Sequence, residues 1–531
     1  MISKVIAILL YLAVVMYLGY KGWKTTQRPT DYMLAGRRMS PWVMALSYGA
    51  TFVSTSAIVG FGGAAGLFGF PLLWLTFLTI FVGVFIAMVG FGKRTRRMGL
   101  SLNSHTFPEL LGRRYRSSFI QRFAGGIIFL FIPIYAAAVL IGISRILEIS
   151  LGVPYEAALV FMTLLLAAYV ITGGLKAVMY TDAFQALIMG MMMLMLLGGT
   201  YYMLGGVTEA HSTLASMAHL MPSKLQLGGM EGWTQGARFG TPLWLVIYTT
   251  IVYGVGIGVL AQPQLAVRFM TVHSDRELNR AVLVGGIFIP IMTGVAFTVG
   301  ALSNAVFMEK FGKISIAMAA GNMDKIIPLY IEKIMPPWFA GLFLLGMFAA
   351  AMSTLSSQYH VGGTSLSRDI WENIKGREAS VAASRFGVAA TVLAALIWAW
   401  VLPPSVIARA TAFFFGLCAA SFLPAYLLGL YWKRMTKGAA VISMVGGFAT
   451  SMFWLLFVHL KEAKVIGLSK ALFGVDSLAS LAPKGSAMWL MQWVDPNVIA
   501  LPVAMLLAVG AAYATQTMQR EHVELCFENI R

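Results

Sequence analysis

Charged residues are scarce in this chain of 531 residues: aspartate, glutamate, lysine and arginine together make up only 11%. Hydrophobic residues account for 59%. A soluble domain carries far more charge on its surface, so this composition excludes a soluble globular protein and predicts an integral membrane protein. The hydrophobic runs leave no room between them for a separate soluble domain.

Cysteine and histidine are also rare, which bears on redox and metal chemistry. The two cysteines, Cys418 and Cys526, are far apart in the sequence and do not suggest a disulfide bridge. The seven histidines show no spacing typical of metal ligands. A nucleophile, a base and an orienting partner do not occur together at a plausible spacing, so we expect no enzyme.

The charge that is present is mostly positive, with a net charge of +18. The basic residues are scattered over short loops, which argues against nucleic-acid binding. If the apolar runs alternate in direction, about two thirds of the lysines and arginines fall on one side, which the positive-inside rule places in the cytoplasm. This pattern predicts an outside N-terminus and a cytoplasmic C-terminus beside anionic lipid. Short loops favour a bacterial inner membrane.

Long apolar runs recur along the whole chain, and each is long enough to cross a bilayer. The first lacks a small-residue cleavage site and is followed by Lys21 and Lys24, as in a retained span. The sequence therefore predicts an all-α integral membrane protein with about 13 transmembrane helices. The runs are 2–20, 41–66, 70–92, 122–148, 155–173, 181–205, 243–267, 281–305, 336–367, 383–401, 405–431, 438–458 and 497–516.

Hydroxyl side chains in the ninth run are the strongest functional signal. At about 100° per residue, Ser353 belongs to two overlapping helix faces. Neutral oxygens gathered at membrane depth can replace the water shell of a small cation, and sodium is the cation that drives solutes uphill. Alternatively, each hydroxyl bonds a carbonyl one turn earlier. The first face contains Ala350, Ser353, Thr354 and Ser357, and the second contains Ser353, Ser356 and Ser357.

Glycine interrupts the second and seventh runs at comparable places, in 47–56 and 254–263, and these runs are five apart. Irregular backbone at membrane depth is tolerated only where it faces protein or a cavity. A matched pair of interruptions therefore indicates a transporter built from an inverted repeat. The alternative is that the glycines allow close packing of helices.

Asp182 lies at the predicted start of the sixth run. A carboxylate there could lie at the N-terminus of a helix in the membrane interface, where the helix dipole stabilises it. Alternatively, it could neutralise a bound cation. The residues around it leave both interpretations open.

Several of these segments together resemble the sodium:solute symporter family over nearly the whole chain. The resemblance implies a leucine-transporter-type five-helix inverted repeat that works by alternating access. The matching segments are 31–38 with Trp42, 173–182 with Gln185, 262–269 and 352–356.

The family pattern also implies a division of the chain. The implied parts are an extra N-terminal helix and loop (1–40), a first repeat of helices 2–6 (41–205), an outward loop (206–242), a second repeat of helices 7–11 (243–431), helices 12–13 (432–516) and a cytoplasmic tail (517–531).

The resemblance implies a sodium site between the broken second span and the ninth span. Its residues here are Ala50, Val53, Ala350, Ser353 and Thr354. Some family members have a second sodium site, whose positions correspond here to Asp182, Ser353, Ser356 and Ser357. We expect one sodium ion and keep a second as a further prediction.

Substrate residues carry over less well. Proline-transporting members have tryptophan and tyrosine where this chain has Val255 and Val259, which disfavours proline. Arg145 is a candidate partner for a substrate carboxylate, although Glu148 lies one turn away. The predicted solute contacts are Thr51, Phe52, Ser54, Thr55, Ser56, Tyr135, Arg145, Tyr253 and Gln262.

The sequence as a whole predicts a sodium-coupled secondary active symporter. It would import a small organic solute, either an organic anion such as a monocarboxylate or an amino-acid-like molecule. The alternatives are a proton-coupled transporter with Asp182 as the carrier, and a solute receptor of the same fold that does not transport. The predicted partners are the solute and membrane lipid, with no nucleic acid.

Overall fold

Helices make up most of the chain in the computed structural model, which describes residues 2–25, 29–376, 380–403, 405–528 and 530. Among the residues that the structure describes, eleven helices are long and apolar enough to cross a membrane, and a pair bent by 49° raises the number to 12. The predicted run 155–173 is helical up to the break at Gly174, and its stretch Tyr155–Ala168 is an apolar helix shorter than the other spans. With this helix the bundle has the predicted set of about 13, and the all-α fold class is confirmed.

We number the spans along the chain. They are 1 (Ile6–Lys24), 2 (Pro41–Phe52 with Ser56–Phe68), 3 (Phe70–Ser101), 4 (Ser118–Leu151), 5 (Tyr155–Ala168), 6 (Gly174–Met203), 7 (Pro242–Ala261), 8 (Asp275–Phe311), 9 (Pro337–Lys375), 10 (Val381–Val401), 11 (Ile407–Tyr431), 12 (Lys437–Val458) and 13 (Pro496–Ala514).

Short elements cover both ends of the bundle. One end, which we call the basic end, has the arginine-rich loops and the helices Pro29–Leu34, Phe107–Arg114, Pro263–Phe269 and Arg520–Phe527. The opposite end, the loop-helix end, has the helices Val207–Ser216, Ser223–Leu227, Ser315–Met318, Ile326–Ile334, Leu460–Ile466 and Leu468–Phe473, and an antiparallel pair of strands, Met230–Gly232 and Gly236–Ala237.

Spans 4, 9 and 11 form the centre of the bundle. In the most apolar window of spans 9 and 11, 83% of the residues are buried, compared with 28% in span 1 and 33% in spans 10, 12 and 13. The peripheral spans expose large apolar side chains such as Leu9, Phe386 and Leu506, as lipid-facing helices do. The hydroxyl-rich span 9 is therefore shielded from lipid by its neighbours.

Span 2 breaks within the predicted stretch 47–56. Its first half ends at Phe52, Val53 is extended (φ −92°, ψ 97°), and the helix resumes with a π-helical segment, Ser56–Phe61. Gly49 itself is helical, and a Cβ there would approach a ring carbon of Phe288 to 2.5 Å. The glycine thus serves close packing, while the break lies four residues further on.

The prediction that glycines interrupt span 7 is wrong. The chain is helical through Val255–Gly258, and the backbone leaves the helix only at Gln262 (φ −73°, ψ 115°). Pro263 disfavours a helical conformation in the residue before it, which explains the position of the break. Gly258 has a packing role, because a Cβ there would meet the Phe415 carbonyl carbon at 2.7 Å.

Span 6 begins earlier than the predicted run 181–205. The helix breaks at Gly174 (φ 64°, ψ −176°), where a Cβ would come within 2.6 Å of the Tyr32 ring. Asp182 therefore lies about two turns inside span 6, fully buried, and not at an interfacial helix start. The structure therefore excludes the interpretation of Asp182 as a residue at an interfacial helix N-terminus.

Candidate functional site

Oxygen atoms from spans 2 and 9 converge where span 2 breaks. The Ser353 hydroxyl donates to the carbonyls of Ala50 (2.9 Å) and Ala350 (3.2 Å). The Thr354 hydroxyl donates to the carbonyls of Ala50 (3.4 Å) and Thr51 (3.2 Å). Because the first helix of span 2 ends at Phe52, the carbonyls of Ala50 and Thr51 have no amide partner in the next helical turn and can accept from the hydroxyls of span 9.

This cluster has the donor atoms that a small hard cation needs. A hydroxyl that now donates to a carbonyl can rotate its hydrogen away and offer a lone pair, and the carbonyl is then free for the same ion. The structure thus brings together four of the five predicted first-site residues, Ala50, Ala350, Ser353 and Thr354. The fifth, Val53, is the extended residue at the break.

Asp182 lies in a second polar cluster that is also fully buried. Its Oδ2 accepts hydrogen bonds from the hydroxyl of Ser47 (2.7 Å), from Thr51 (3.3 Å) and from the Arg268 guanidinium (3.0 Å). Asp182 and Arg268 form a salt bridge with side chains 0% and 1% exposed. Asp182 Oδ1 is buried without a partner among the described residues.

Arg268 provides a cation at this cluster. Its guanidinium also donates to the hydroxyls of Ser47 (3.0 Å), Thr51 and Ser357 (2.6 Å), and to the Gln264 carbonyl (2.6 Å). Two of the four predicted second-site residues, Asp182 and Ser357, therefore surround a guanidinium.

The other two second-site residues have different partners. The Ser353 hydroxyl belongs to the first cluster, and the Ser356 hydroxyl donates to the Ser353 carbonyl at 3.1 Å. Arg268 was visible in the sequence only as part of a family segment. Its signal was an arginine next to a membrane span with no acidic residue close to it in sequence.

The predicted solute contacts in span 2 divide between side chains that hydrogen-bond within the protein and side chains that do not. Thr51 is held in the Asp182 cluster, and the Thr55 hydroxyl donates to the Val139 carbonyl at 2.6 Å. Ser54 accepts the Ala57 amide hydrogen at 3.3 Å. The Ser56 hydroxyl is buried without a partner among the described residues, and Phe52 is buried beside the break.

Tyr135 of span 4 stands close to the break in span 2. Its ring packs against Phe414 and Phe415 of span 11, at centroid distances of 5.9 and 5.3 Å. Its hydroxyl faces Ser54 and Gln358. Both amide atoms of Gln358 are buried, and no hydrogen bond to a described residue satisfies them. Gln358 is thus a candidate solute contact that we missed, although it directly follows the serine segment.

The remaining predicted contacts lie elsewhere. Gln262 donates to the Gly258 carbonyl (3.2 Å) and accepts from Gln264 (3.0 Å), so its amide stabilises the break in span 7. Tyr253 lies in the π-helical segment Val246–Gly254 of span 7, two residues before the helical segment Val255–Gly258.

Arg145 is separated from Tyr135 by more than two helical turns and has its own partners. It forms an ion pair with Glu148 (2.8 Å) and lies 3.9 Å from the ring centroid of Tyr155. Glu148 also binds Lys325 of the loop-helix end, at 3.3 Å. The structure does not bring Arg145 to the other predicted solute contacts.

A helical bundle with a broken central span, buried hydroxyls facing its free carbonyls and an internal charge pair has the features of an ion-coupled membrane transporter. The chain belongs to the sodium:solute symporter family, whose model matches residues 32–447.

Curated relatives cover most of the chain. A sodium/pantothenate symporter of Haemophilus influenzae is 29% identical over 427 residues, 79% of this chain and 83% of that protein. The high-affinity proline transporter PutP of Bacillus subtilis is 29% identical over 446 residues, 83% of this chain and 89% of that protein. Different relatives thus carry different solutes, and the family alone does not name the solute.

A solved structure has the same fold. The substrate-bound outward-open state of a Na⁺-coupled sialic acid symporter matches with a TM-score of 0.74 over 97% of this chain and 98% of that one, at 18% identity. At this identity the match establishes the fold alone, and it agrees with the predicted fold class.

Proposed function

We propose that this chain binds sodium between the break in span 2 and the hydroxyls of span 9, and that this ion drives the uptake of a small organic solute. The observation that supports it best is the contact of Ser353 and Thr354 with the carbonyls of Ala50 and Thr51. A sodium ion there would join the two repeats of the fold. The solute would bind beside it, near Tyr135 and Gln358.

Energy for uptake comes from the ion gradient and the membrane potential, which contributes about 2.3 kcal/mol per charge per 100 mV. The coupling requires that sodium binds one arrangement of spans 2 and 9 better than another. Rotation of two hydroxyls is enough to exchange hydrogen bonds for ion contacts, so binding changes how tightly the two spans are held together. This is the proposed link between the ion and alternating access.

The proposed solute is an organic anion of the monocarboxylate class. The relatives include carriers named for pantothenate, a carboxylate anion, and for proline, a zwitterion. Val255 and Val259 replace the aromatic residues that the family pattern associates with proline. An apolar wall with a few polar groups, here the Tyr135 hydroxyl and the Gln358 amide, suits a small organic molecule.

One sodium ion is the proposed stoichiometry for the conformation seen here. The Arg268 guanidinium provides the positive charge beside Asp182, and its hydrogen bond to Ser357 uses an oxygen that the second predicted sodium would need. A second ion at Asp182 and Ser357 would require Arg268 to move away. Proton coupling through Asp182 faces the same obstacle, since the carboxylate is already paired.

Placement in the membrane follows from the basic loops. We place the basic end in the cytoplasm of a bacterial cell, with the N-terminus outside and the C-terminal tail inside. We propose transport without covalent chemistry, with lipid and solute as partners and no role in nucleic-acid binding.

Sodium-dependent thermal stability tests the ion site. Sodium, but not potassium or choline, should raise the unfolding temperature of the purified wild type, and Ser353→Ala should abolish the rise. Ser443→Ala is a matched control, because that hydroxyl also donates to a carbonyl of another span (Ala504, 2.8 Å) but lies far from the break. Ser443→Ala should keep the sodium response.

Two results would contradict the proposal. One is a wild type that sodium does not stabilise while a pH gradient alone drives solute uptake into vesicles, which would establish proton coupling. The other is an unchanged sodium response in Ser353→Ala, which would reduce the hydroxyl cluster to helix packing.

A further inference from the structure

A cavity of about 280 Å³ opens among spans 2, 7 and 11 toward the loop-helix end. Its walls are mostly apolar, with Ala64, Phe68 and Ile251 among the lining residues. Ala64 lies about two turns beyond Ser56 along span 2, and Ile251 lies two residues before Tyr253 on span 7. The cavity therefore lies between the loop-helix end and the predicted solute contacts.

Two cations line this cavity, and none of the other described residues that line it is acidic. Arg409 comes from span 11, and Lys461 comes from the loop helix Leu460–Ile466 that follows span 12. No hydrogen bond or ion pair to another described residue engages the Lys461 ammonium. Burial lowers the pKa of Lys461 and the charge of Arg409 lowers it further, while the charge of Glu462 acts in the opposite direction. An anion placed between the two cations would relieve both effects.

Glu462 holds the Arg409 guanidinium in position. Its Nε and Nη2 both donate to Glu462 Oε1, at 3.1 and 3.0 Å, and His459 Nδ1 contacts Glu462 Oε2. Glu462 lines a neighbouring cavity and not this one. Nη1 of Arg409 makes no hydrogen bond to a described residue, so it is left for a ligand.

The net charge at the cavity is positive. Burial opposes ionisation of Glu462, but the nearby charge of His459 and the hydrogen bonds and charge of Arg409 lower its pKa to about 2. Glu462 thus stays anionic and neutralises one cation. Positive charge beyond that of Glu462 therefore remains at the cavity.

We propose that this cavity is a capture site for organic carboxylate anions, which the ammonium of Lys461 and the guanidinium of Arg409 bind before the solute moves to the central site. The proposal rests on the transport function proposed above and specifies its substrate class. Apolar walls favour a carboxylate with a carbon skeleton over a hydrated inorganic anion. A zwitterion such as proline gains less from two cations, because its own ammonium group is repelled.

Protection of Lys461 from chemical acetylation tests the site without transport. The purified protein would be treated with N-acetoxysuccinimide, and acetylation rates of Lys461 and Lys464 would be measured by mass spectrometry. Lactate and pantothenate should slow the acetylation of Lys461 at least about threefold, while their neutral analogues lactamide and pantothenol should not change its rate. Lys464 is the internal control, because it lies on the same helix, is exposed and faces Asp476 at 3.8 Å.

A transport measurement in proteoliposomes completes the test. Lys461→Gln should raise the KM for the carboxylate about threefold to tenfold with kcat within about twofold, Lys461→Arg should restore it, and Lys464→Gln should behave as wild type. Equal protection by carboxylates and neutral analogues, or none by either carboxylate, would overturn the capture site. Protection without sodium-driven uptake of either carboxylate would instead contradict the proposed function and leave the site standing.

Discussion

At the scale of single residues, the pair formed by Asp182 and Arg268 is the most consequential contact. Both side chains are fully buried, and a buried charge costs several kcal/mol unless it is paired and hydrogen-bonded. Ser47, Thr51 and Ser357 supply those hydrogen bonds from spans 2 and 9. The pair therefore links three spans near the proposed ion site.

Removal of the Asp182 charge should destabilise the protein. Asp182→Asn leaves the Arg268 guanidinium buried without a counter-ion, and we expect a loss of about 3 kcal/mol or more. The double variant Asp182→Asn with Arg268→Gln should recover part of this loss, because no charge then remains unpaired. Thermal unfolding of the three proteins measures both effects.

The sodium dependence of transport by the wild type and Asp182→Asn tests how many sodium ions bind. We expect a sodium Hill coefficient near one for transport by wild type, since Arg268 takes the place of a second ion. A wild-type coefficient near two that falls to one in Asp182→Asn would establish the second sodium site instead.

At the scale of elements, the helix Phe107–Arg114 joins the basic end to span 9. Thr106 caps its first turn by accepting the Glu109 amide hydrogen at 3.1 Å, and Glu109 pairs with Arg368 of span 9 at 3.0 Å. Span 9 also carries Ser353, so this helix braces the span that holds the proposed ion. Arg113 forms a second ion pair with Glu109 at 2.6 Å.

Glu109→Gln should weaken this brace in a pH-dependent way. Burial opposes ionisation of Glu109, but hydrogen bonds from His105 and Arg368 and the charges of Arg368 and Arg113 hold its pKa well below the ordinary value. A lowered pKa means that the carboxylate stabilises the fold fully above about pH 5 and loses this effect as the pH falls toward the folded-state value.

The measurement is the unfolding temperature of wild type and Glu109→Gln between pH 4 and pH 8. The variant should be less stable by about 3 kcal/mol at neutral pH, with a smaller difference near pH 4. Glu524→Gln is the control, because its partner Arg520 is exposed and surface pairs contribute little. A pH-independent difference for Glu109→Gln would show that its charge is not what matters.

At the scale of the whole molecule, orientation in the membrane decides which cavity meets the external solute. The proposed capture site lies toward the loop-helix end, so it can collect solute from outside only if the basic end faces the cytoplasm. The distribution of lysine and arginine supports this direction.

Cysteine labelling in intact cells tests the orientation. Both native cysteines are buried, so their background should be low. A membrane-impermeant maleimide should label Lys224→Cys, on an exposed position of the loop-helix end, in intact cells. It should label Arg276→Cys, exposed in the first turn of span 8 at the basic end, only after the cells are permeabilised. The reverse pattern would place the capture site in the cytoplasm.

The sequence by itself determined the class of protein and which hydroxyls share the face of span 9 that meets span 2. Composition alone requires a membrane, because so little charge cannot solvate a protein surface. The period of a helix places Ser353 and Thr354 on one face, and the structure shows that face against the broken span 2. These features depend on residues close together in the chain, whose geometry a single helix already defines.

Only the tertiary structure decided which distant charges meet. Arg268 reaches Asp182, and Lys461 shares a cavity with Arg409, although the partners lie on different elements far apart in sequence. Likewise, Arg145 pairs with Glu148 away from Tyr135. Local periodicity gives the face of a helix but not its neighbour, because neighbours depend on how all the spans pack around the bundle centre. The charge that completes each site therefore becomes visible only in the folded molecule.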